Sequence, residues 1–215
     1  YLNDDGSFND KYLSTFGYLS IGVPGTVAGL WEVHKQFGSL PWSALIEDAI
    51  NYAESGFYMT DYMADVLYKY NEKMSYFPET KKIFQKDYPN FRNKKLFQKD
   101  LAKTLRVISL NGRDGFYKGE VAKKITDQMQ LNGGLIQSAD LENYNPVWRE
   151  PIISSYRDNK IITMGPPSSG GIHIIQMLNI LENYDLNELG HNSTDYINLL
   201  TEVMKHAYAD RSKYL

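Results

Sequence analysis

Lys160-Ile161-Ile162-Thr163-Met164-Gly165-Pro166-Pro167-Ser168-Ser169-Gly170-Gly171-Ile172-His173-Ile174-Ile175-Gln176-Met177-Leu178 is the stretch on which the fold reading turns. A β-branched run enters a double-proline corner, crosses two serines and two glycines, and leaves as a strongly apolar helix. Proline fixes φ and cannot donate to a strand ladder, so the strand ends before Pro166. Serine favours the helix-capping position and glycine permits close backbone approach, so the next element opens near Ser168-Ser169-Gly170-Gly171. The predicted order is strand, tight corner, buried helix, with several unpaired N–H groups at the helix start.

That corner admits two readings. One is an anion or carboxylate seat, or a serine nucleophile, at Ser168, Ser169, Gly170 and Gly171. The other is a packing junction where a buried helix meets a sheet. A phosphate loop needs Gly-x-x-x-x-Gly-Lys-Ser/Thr, and no Lys follows Gly171. A hydrolase elbow needs Gly-x-Ser-x-Gly, and Pro167-Ser168-Ser169-Gly170 lacks its first glycine. His173 sits one turn after Ser169, but a base also needs an orienting group and open access. The packing reading is the stronger of the two.

Working outward, residues 147–156 and 160–164 read as two strands around an Arg157-Asp158-Asn159 turn, with Pro151 marking an edge or an interruption. The apolar helix runs over 172–181. A last helix from about residue 194 carries Ile197, Leu200, Met204, Ala207 and Tyr208. Its His206 and Asp210, four residues apart, supply too few ligands for a metal and read as a surface pair.

Upstream, residues 1–16 read as irregular and polar, and 19–23 as a short strand closed by Pro24-Gly25. Thr26 is the expected cap of a helix carrying Val27, Leu30, Trp31, His34 and Phe37 on one stripe, stopped at Gly38. His34 on that stripe reads as a hydrogen-bonded core-edge residue rather than a ligand. Pro41 opens the next helix, which Gly56 ends, and Thr60 caps a third. Across 71–98 the periodicity degrades. Aromatics alternate with basic residues there, but Glu72, Glu79 and Asp87 dilute the charge, so the expectation is an irregular excursion packed by its own aromatics, not a nucleic-acid surface. Helices follow from Asp100 to Asn111 and from Val121 to about Met129, with a compact turn at 115–119, a stop at Asn132-Gly133-Gly134 and one short helical turn at 138–141.

The 215 residues are 42% apolar and 13% aromatic, enough for a core, and a net charge of −3 points to neither nucleic acid nor a membrane surface. Absence of cysteine excludes disulfides, thiolate metal sites and a Cys nucleophile. No apolar run is long enough for a bilayer span, and no signal peptide is recognisable. The chain opens at Tyr1 without Met and ends inside a helical pattern, so the expectation is a fragment of a longer precursor, one unit over 1–215 with no internal boundary. The fold class is α+β, predominantly helical.

Five ordered segments resemble the large subunit of a γ-glutamyltranspeptidase: Gly22-Val23-Pro24-Gly25-Thr26-Val27-Ala28-Gly29, Gly115-Phe116-Tyr117-Lys118-Gly119, Asn132-Gly133-Gly134-Leu135-Ile136, residues 165–171 with the following helix, and Tyr208-Ala209-Asp210-Arg211. The resemblance implies an N-terminal-nucleophile hydrolase, of which this is the large-subunit portion of an α-β-β-α sandwich made by self-cleavage. The implied chemistry is attack by the small subunit's N-terminal Thr on the γ-glutamyl amide of glutathione or a similar donor. That Thr's α-amine is the base, and the acyl group passes to water or an amino acid or peptide acceptor. The implied partners are the remainder of the large subunit, the small catalytic subunit and a small γ-glutamyl donor, with no nucleic acid, metal or organic cofactor. Tyr1 cannot be the nucleophile, and no internal Thr stands in a Thr-Thr-His context. The family's carboxylate-clamping arginine belongs upstream, and its donor-binding serines and glycines belong downstream. No catalytic residue is carried over, and the chain alone is expected inactive. Relatives of this scaffold act as cephalosporin acylases or process poly-γ-glutamate. A periplasmic or secreted location is the family expectation. Outside the family, two readings are a non-catalytic interaction module and a serine hydrolase using Ser169 and His173.

Overall fold

The computed structural model describes residues 2–7 and 13–214. The sequence reading of Tyr1, and that of residues 8–12 within the polar opening, lie outside them. The chain divides into two compact units, Tyr1–Pro146 and Val147–Leu215. Helices dominate, and among the described residues two small antiparallel sheets complete an α+β fold, as expected. No described helix is long and apolar enough to cross a membrane.

Among the described residues, the first helical element of the first unit is a 3-10 turn, Tyr18–Ser20, followed by α1 Thr26–Phe37 and α2 Trp42–Ser55. The strand expected over 19–23 does not form: among the described residues no segment pairs with it, and an unpaired strand has nothing to satisfy its ladder. Gly25, not Thr26, is the residue that caps α1, and it contributes no side chain to the task. Two residues, β1 Phe57–Tyr58, lead into α3 Asp61–Lys69. Thr60 caps α3 as expected, its Oγ1 accepting from Met63 N at 3.2 Å. Thr60→Ala is expected to lose about 1 kcal/mol, read as a lower urea midpoint with unchanged slope.

Within 71–98 the structure contains α4 Asn71–Ser75, α5 Pro78–Phe84 and β2 Lys95–Leu96. β2 pairs antiparallel with β1, Phe57 opposite Leu96 and Tyr58 opposite Lys95. Phe91 and Leu96 are buried against Met59 and Ala64, and Tyr88 packs edge-on to Phe91 at 5.9 Å between ring centroids. This segment therefore rests on α3 and β1 as well as on its own aromatics.

Next come α6 Lys99–Asn111, α7 Asp114–Tyr117, α8 Gly119–Leu131 and α9 Ser138–Glu142. α2 packs closely on α6 because the meeting residues are small: Ala53 and Ala102 are buried beside Ile50. Trp42 Nε1 donates to Ile108 O at 3.0 Å and Gln98 N to Ala53 O at 2.8 Å, tying the helices at both ends. At 115–119 the expected compact turn is a single helical turn, α7, followed directly by α8. Gly115 lies against the backbone of Val107 and Ile108, closer than any side chain would allow. α9 carries a capping box between Gln137 and Asp140.

The second unit holds an antiparallel hairpin, β3 Ile152–Tyr156 and β4 Asn159–Thr163, then α10 Gly170–Leu181, α11 Leu186–Leu189 and α12 Thr194–Tyr214. The strand expected from 147 starts only at Ile152, after Pro151, whose missing N–H cannot join the ladder. Arg157 takes a positive φ at the tip, and its backbone N–H donates to Glu182 Oε1 at 2.5 Å. Its guanidinium donates to Tyr184 O at 3.1 Å, so the hairpin tip is held at the C-terminal end of α10. Gln176 of α10 donates to Asp210 of α12 at 2.5 Å.

Candidate functional site

Two places concentrate the segments singled out in the sequence, one in each unit. In the second unit the corner 165–171 delivers the chain from β4 into α10. Pro166-Pro167 is cis, and Arg149 Nη1 donates to Pro166 O at 3.0 Å. Ser169 precedes α10 with helical backbone angles and caps nothing with its hydroxyl. Ser168 does that instead, its Oγ accepting from Gly170 N at 3.3 Å. Gly171 is buried, and an added Cβ there would lie 2.7 Å from Thr163 Oγ1, 2.9 Å from Thr163 Cγ2 and closer still to Met164 O. Gly170 is exposed, and an added Cβ would meet only Ser168 Oγ, at 3.5 Å. The adjacent glycines thus stand in opposite surroundings.

His173 is 8% exposed, with Nδ1 hydrogen-bonded to the Ser169 backbone carbonyl. That bond makes Nδ1 the protonated nitrogen and directs the ring toward the carbonyl rather than toward a serine hydroxyl. A nucleophile needs its base on its own Oγ, so this arrangement does not activate Ser169. A shallow cavity of ≈ 360 Å³ brings Ser169 and Gly170 beside Met204, Tyr208 and Arg211 of α12. Arg211 is a cationic neighbour that the local pattern around the serines did not reveal, since about forty residues separate them. The signal available was Tyr208-Ala209-Asp210-Arg211, already marked as a family segment. Asp210 takes the bond from Gln176 and lies on a second groove of ≈ 620 Å³ along α10. Among the described residues no group of three or more His, Asp or Glu could hold a metal.

In the first unit the other three segments converge on Tyr117. Its ring is fully buried with Ala28, Ala122, Met129, Ile136 and Leu141. Its hydroxyl donates to Pro24 O at 2.5 Å and accepts from Ala28 N at 3.3 Å. Ala28 N belongs to the first turn of α1, whose N–H groups have no partner inside the helix. Tyr117 therefore supplies the cap that Gly25 cannot. Tyr144 stacks on Tyr117 at 5.7 Å and 5°, and an added Cβ at Gly25 would strike the Tyr144 ring. Arg113 lies 4.9 Å over the Tyr117 ring and donates to Glu142 O at 2.8 Å and Tyr144 O at 2.6 Å. Burial pushes the Tyr117 phenol above its ordinary value, keeping it a neutral donor. A side-chain-free cap before a strong helix was the sequence clue to this remote hydroxyl.

The sequence model of the family described as "Gamma-glutamyltranspeptidase" matches residues 1–215. The glutathione hydrolase proenzyme of Escherichia coli strain K12 is 43% identical over 217 aligned residues, covering all of this chain and 37% of that protein. A Helicobacter pylori gamma-glutamyltranspeptidase structure superposes with a TM-score of 0.95 at 44% identity, covering all of this chain and 62% of that one. A Bacillus anthracis transpeptidase, CapD, superposes at 0.76 with 34% identity over 90% of this chain and 66% of that one. The chain thus spans well under half the length of the E. coli relative. From the full-length family match and these identities, the chain belongs to the gamma-glutamyltranspeptidase family.

Proposed function

We propose that this chain is the scaffold part of a γ-glutamyltransferase and glutathione hydrolase. The complete protein cleaves the γ-glutamyl amide of glutathione-like donors and passes the acyl group to water or to an amino acid or peptide. The single observation that carries the reading is the family match along the whole chain, with relatives at 40% identity or more named glutathione hydrolase proenzymes. The nucleophile is an N-terminal Thr on a small subunit cut from the same precursor, and that subunit with the rest of the large one is the partner. Export to the periplasm or beyond belongs to the same proposal, and fractionation of the producing cells tests it. An acylase specificity is the second reading. Acylase proenzymes are 41% identical over 91% of this chain, but the cephalosporin acylase structure from Bacillus halodurans is only 28% identical.

The test is turnover of a chromogenic γ-glutamyl anilide. The processed full-length gene product is expected to be active and the isolated 215-residue chain inactive. Ser169→Ala in the full-length protein is expected to keep kcat within about twofold, because a group outside the reacting atoms contributes no transition-state stabilisation of its own. Turnover by the isolated chain, or a correctly processed but inactive full-length protein, overturns the proposal.

A further inference from the structure

Residues 81–106 carry nine Lys and Arg against two Asp, in a chain whose net charge is −3. Arg92 is committed to Asp61 and Asp65, and Arg106 to Glu54. Four of the seven that remain are gathered in one place. Lys82, Lys86, Lys94 and Lys95 rim a cleft of ≈ 380 Å³ between α5 and β2, with Asp87 as its only carboxylate. All four lysines are exposed. Among the described residues Lys86, Lys94 and Lys95 have no ion-pair partner, and Lys82 has only Glu79 at 3.7 Å across solvent. Lys95 lies over the Tyr58 ring at 5.2 Å.

The walls beneath are apolar: Met59, Phe84, Phe91, Leu96 and the half-exposed Phe97. Phe91 and Leu96 belong to the buried cluster under β1 and β2, so this floor is held in place from below. A pocket of this kind, apolar with a few charged groups at its mouth, is the usual form of a small-ligand site, whose volumes run about 300–1,000 Å³. Four lysines against one carboxylate give the cleft a net positive charge, which salt screens only beyond about 8 Å. A guest that brings a negative head to the rim is drawn by that charge, and an apolar body covers the phenylalanines. A flat anionic surface would meet the lysines but leave the recessed floor uncovered.

We infer that this cleft binds a small apolar carboxylate, such as a medium-chain or aromatic acid. The probe is octanoate, titrated calorimetrically into the full-length gene product, with 1-octanol as the uncharged comparison. Octanoate is expected to saturate one site with a Kd at or below about 1 mM, and octanol to bind at least about tenfold more weakly. Lys86→Gln with Lys94→Gln is expected to weaken octanoate at least about tenfold. Lys86→Arg with Lys94→Arg keeps the charge and is expected to hold affinity within about threefold. These residues are solvent-exposed, so a circular dichroism spectrum unchanged from the parent makes the comparison a binding result. Equal affinity for octanol and octanoate, no effect of the double Gln variant, or no saturation by about 10 mM overturns the inference. So does capture by phosphatidylglycerol vesicles without octanoate binding, which would assign the lysines to a lipid surface.

Discussion

Gly171→Ala is expected to destabilise the protein by about 3 kcal/mol, while its neighbour Gly170→Ala leaves stability unchanged or slightly raised. The reason is what each new methyl group meets. At Gly171 it enters the space of Met164 O and of the Thr163 side chain, 2.7 Å away at Oγ1. A backbone carbonyl cannot rotate aside as a side-chain tip can, so α10 must lift from the end of β4. At Gly170 the methyl points to open space with Ser168 Oγ at 3.5 Å, an ordinary contact. Urea midpoints of the two variants measure this directly. Equal midpoints would remove the close approach of α10 to β4 from the account of how this corner is built.

Tyr117→Phe is expected to lose about 2 kcal/mol, and Tyr117→Ala about 4–5 kcal/mol. The first change removes only the hydroxyl, leaving Pro24 O without its donor and Ala28 N without its acceptor at the start of α1. The second also empties the centre of the cluster formed by Ala28, Met129, Ile136 and Leu141. The phenol carries a pH signature as well. Burial raises its folded value above 10.0, so its contribution is complete below that pH and is lost as pH rises through the folded value. The parent protein should therefore lose stability above pH 10.0 more steeply than Tyr117→Phe does. Parallel alkaline profiles would show that the hydroxyl is not the group that titrates.

Short-range rules reach some features of this chain and not others. Most helices were legible because their apolar residues repeat at helical spacing and their ends carry Gly38, Gly56, Thr60, Gly112 and Asn132, residues whose backbone preferences act locally. The 160–178 stretch announced its strand, corner and helix for the same reason. The strand expected over 19–23 failed because β-branched composition states a preference, whereas a strand exists only where a second one meets it. β1 and β2 were missed for the converse reason: two residues carry no periodicity, and their pairing joins positions about forty residues apart.

The candidate sites divide along the same line. Ser168, Ser169, Gly170 and Gly171 were visible as a composition, but their surroundings differ so sharply that composition could not assign them one role. Tyr117 as the cap of α1 and Arg211 beside Ser169 bring together residues far apart in the chain, and the four lysines, though all within 82–95, share one cleft only through the way α5 and β2 pack. Local propensity acts over a few residues, and so the order of elements could be written from the amino acids alone. Which side chains share a volume depends on how those elements pack, and that sum of distant contacts exists only in the folded molecule.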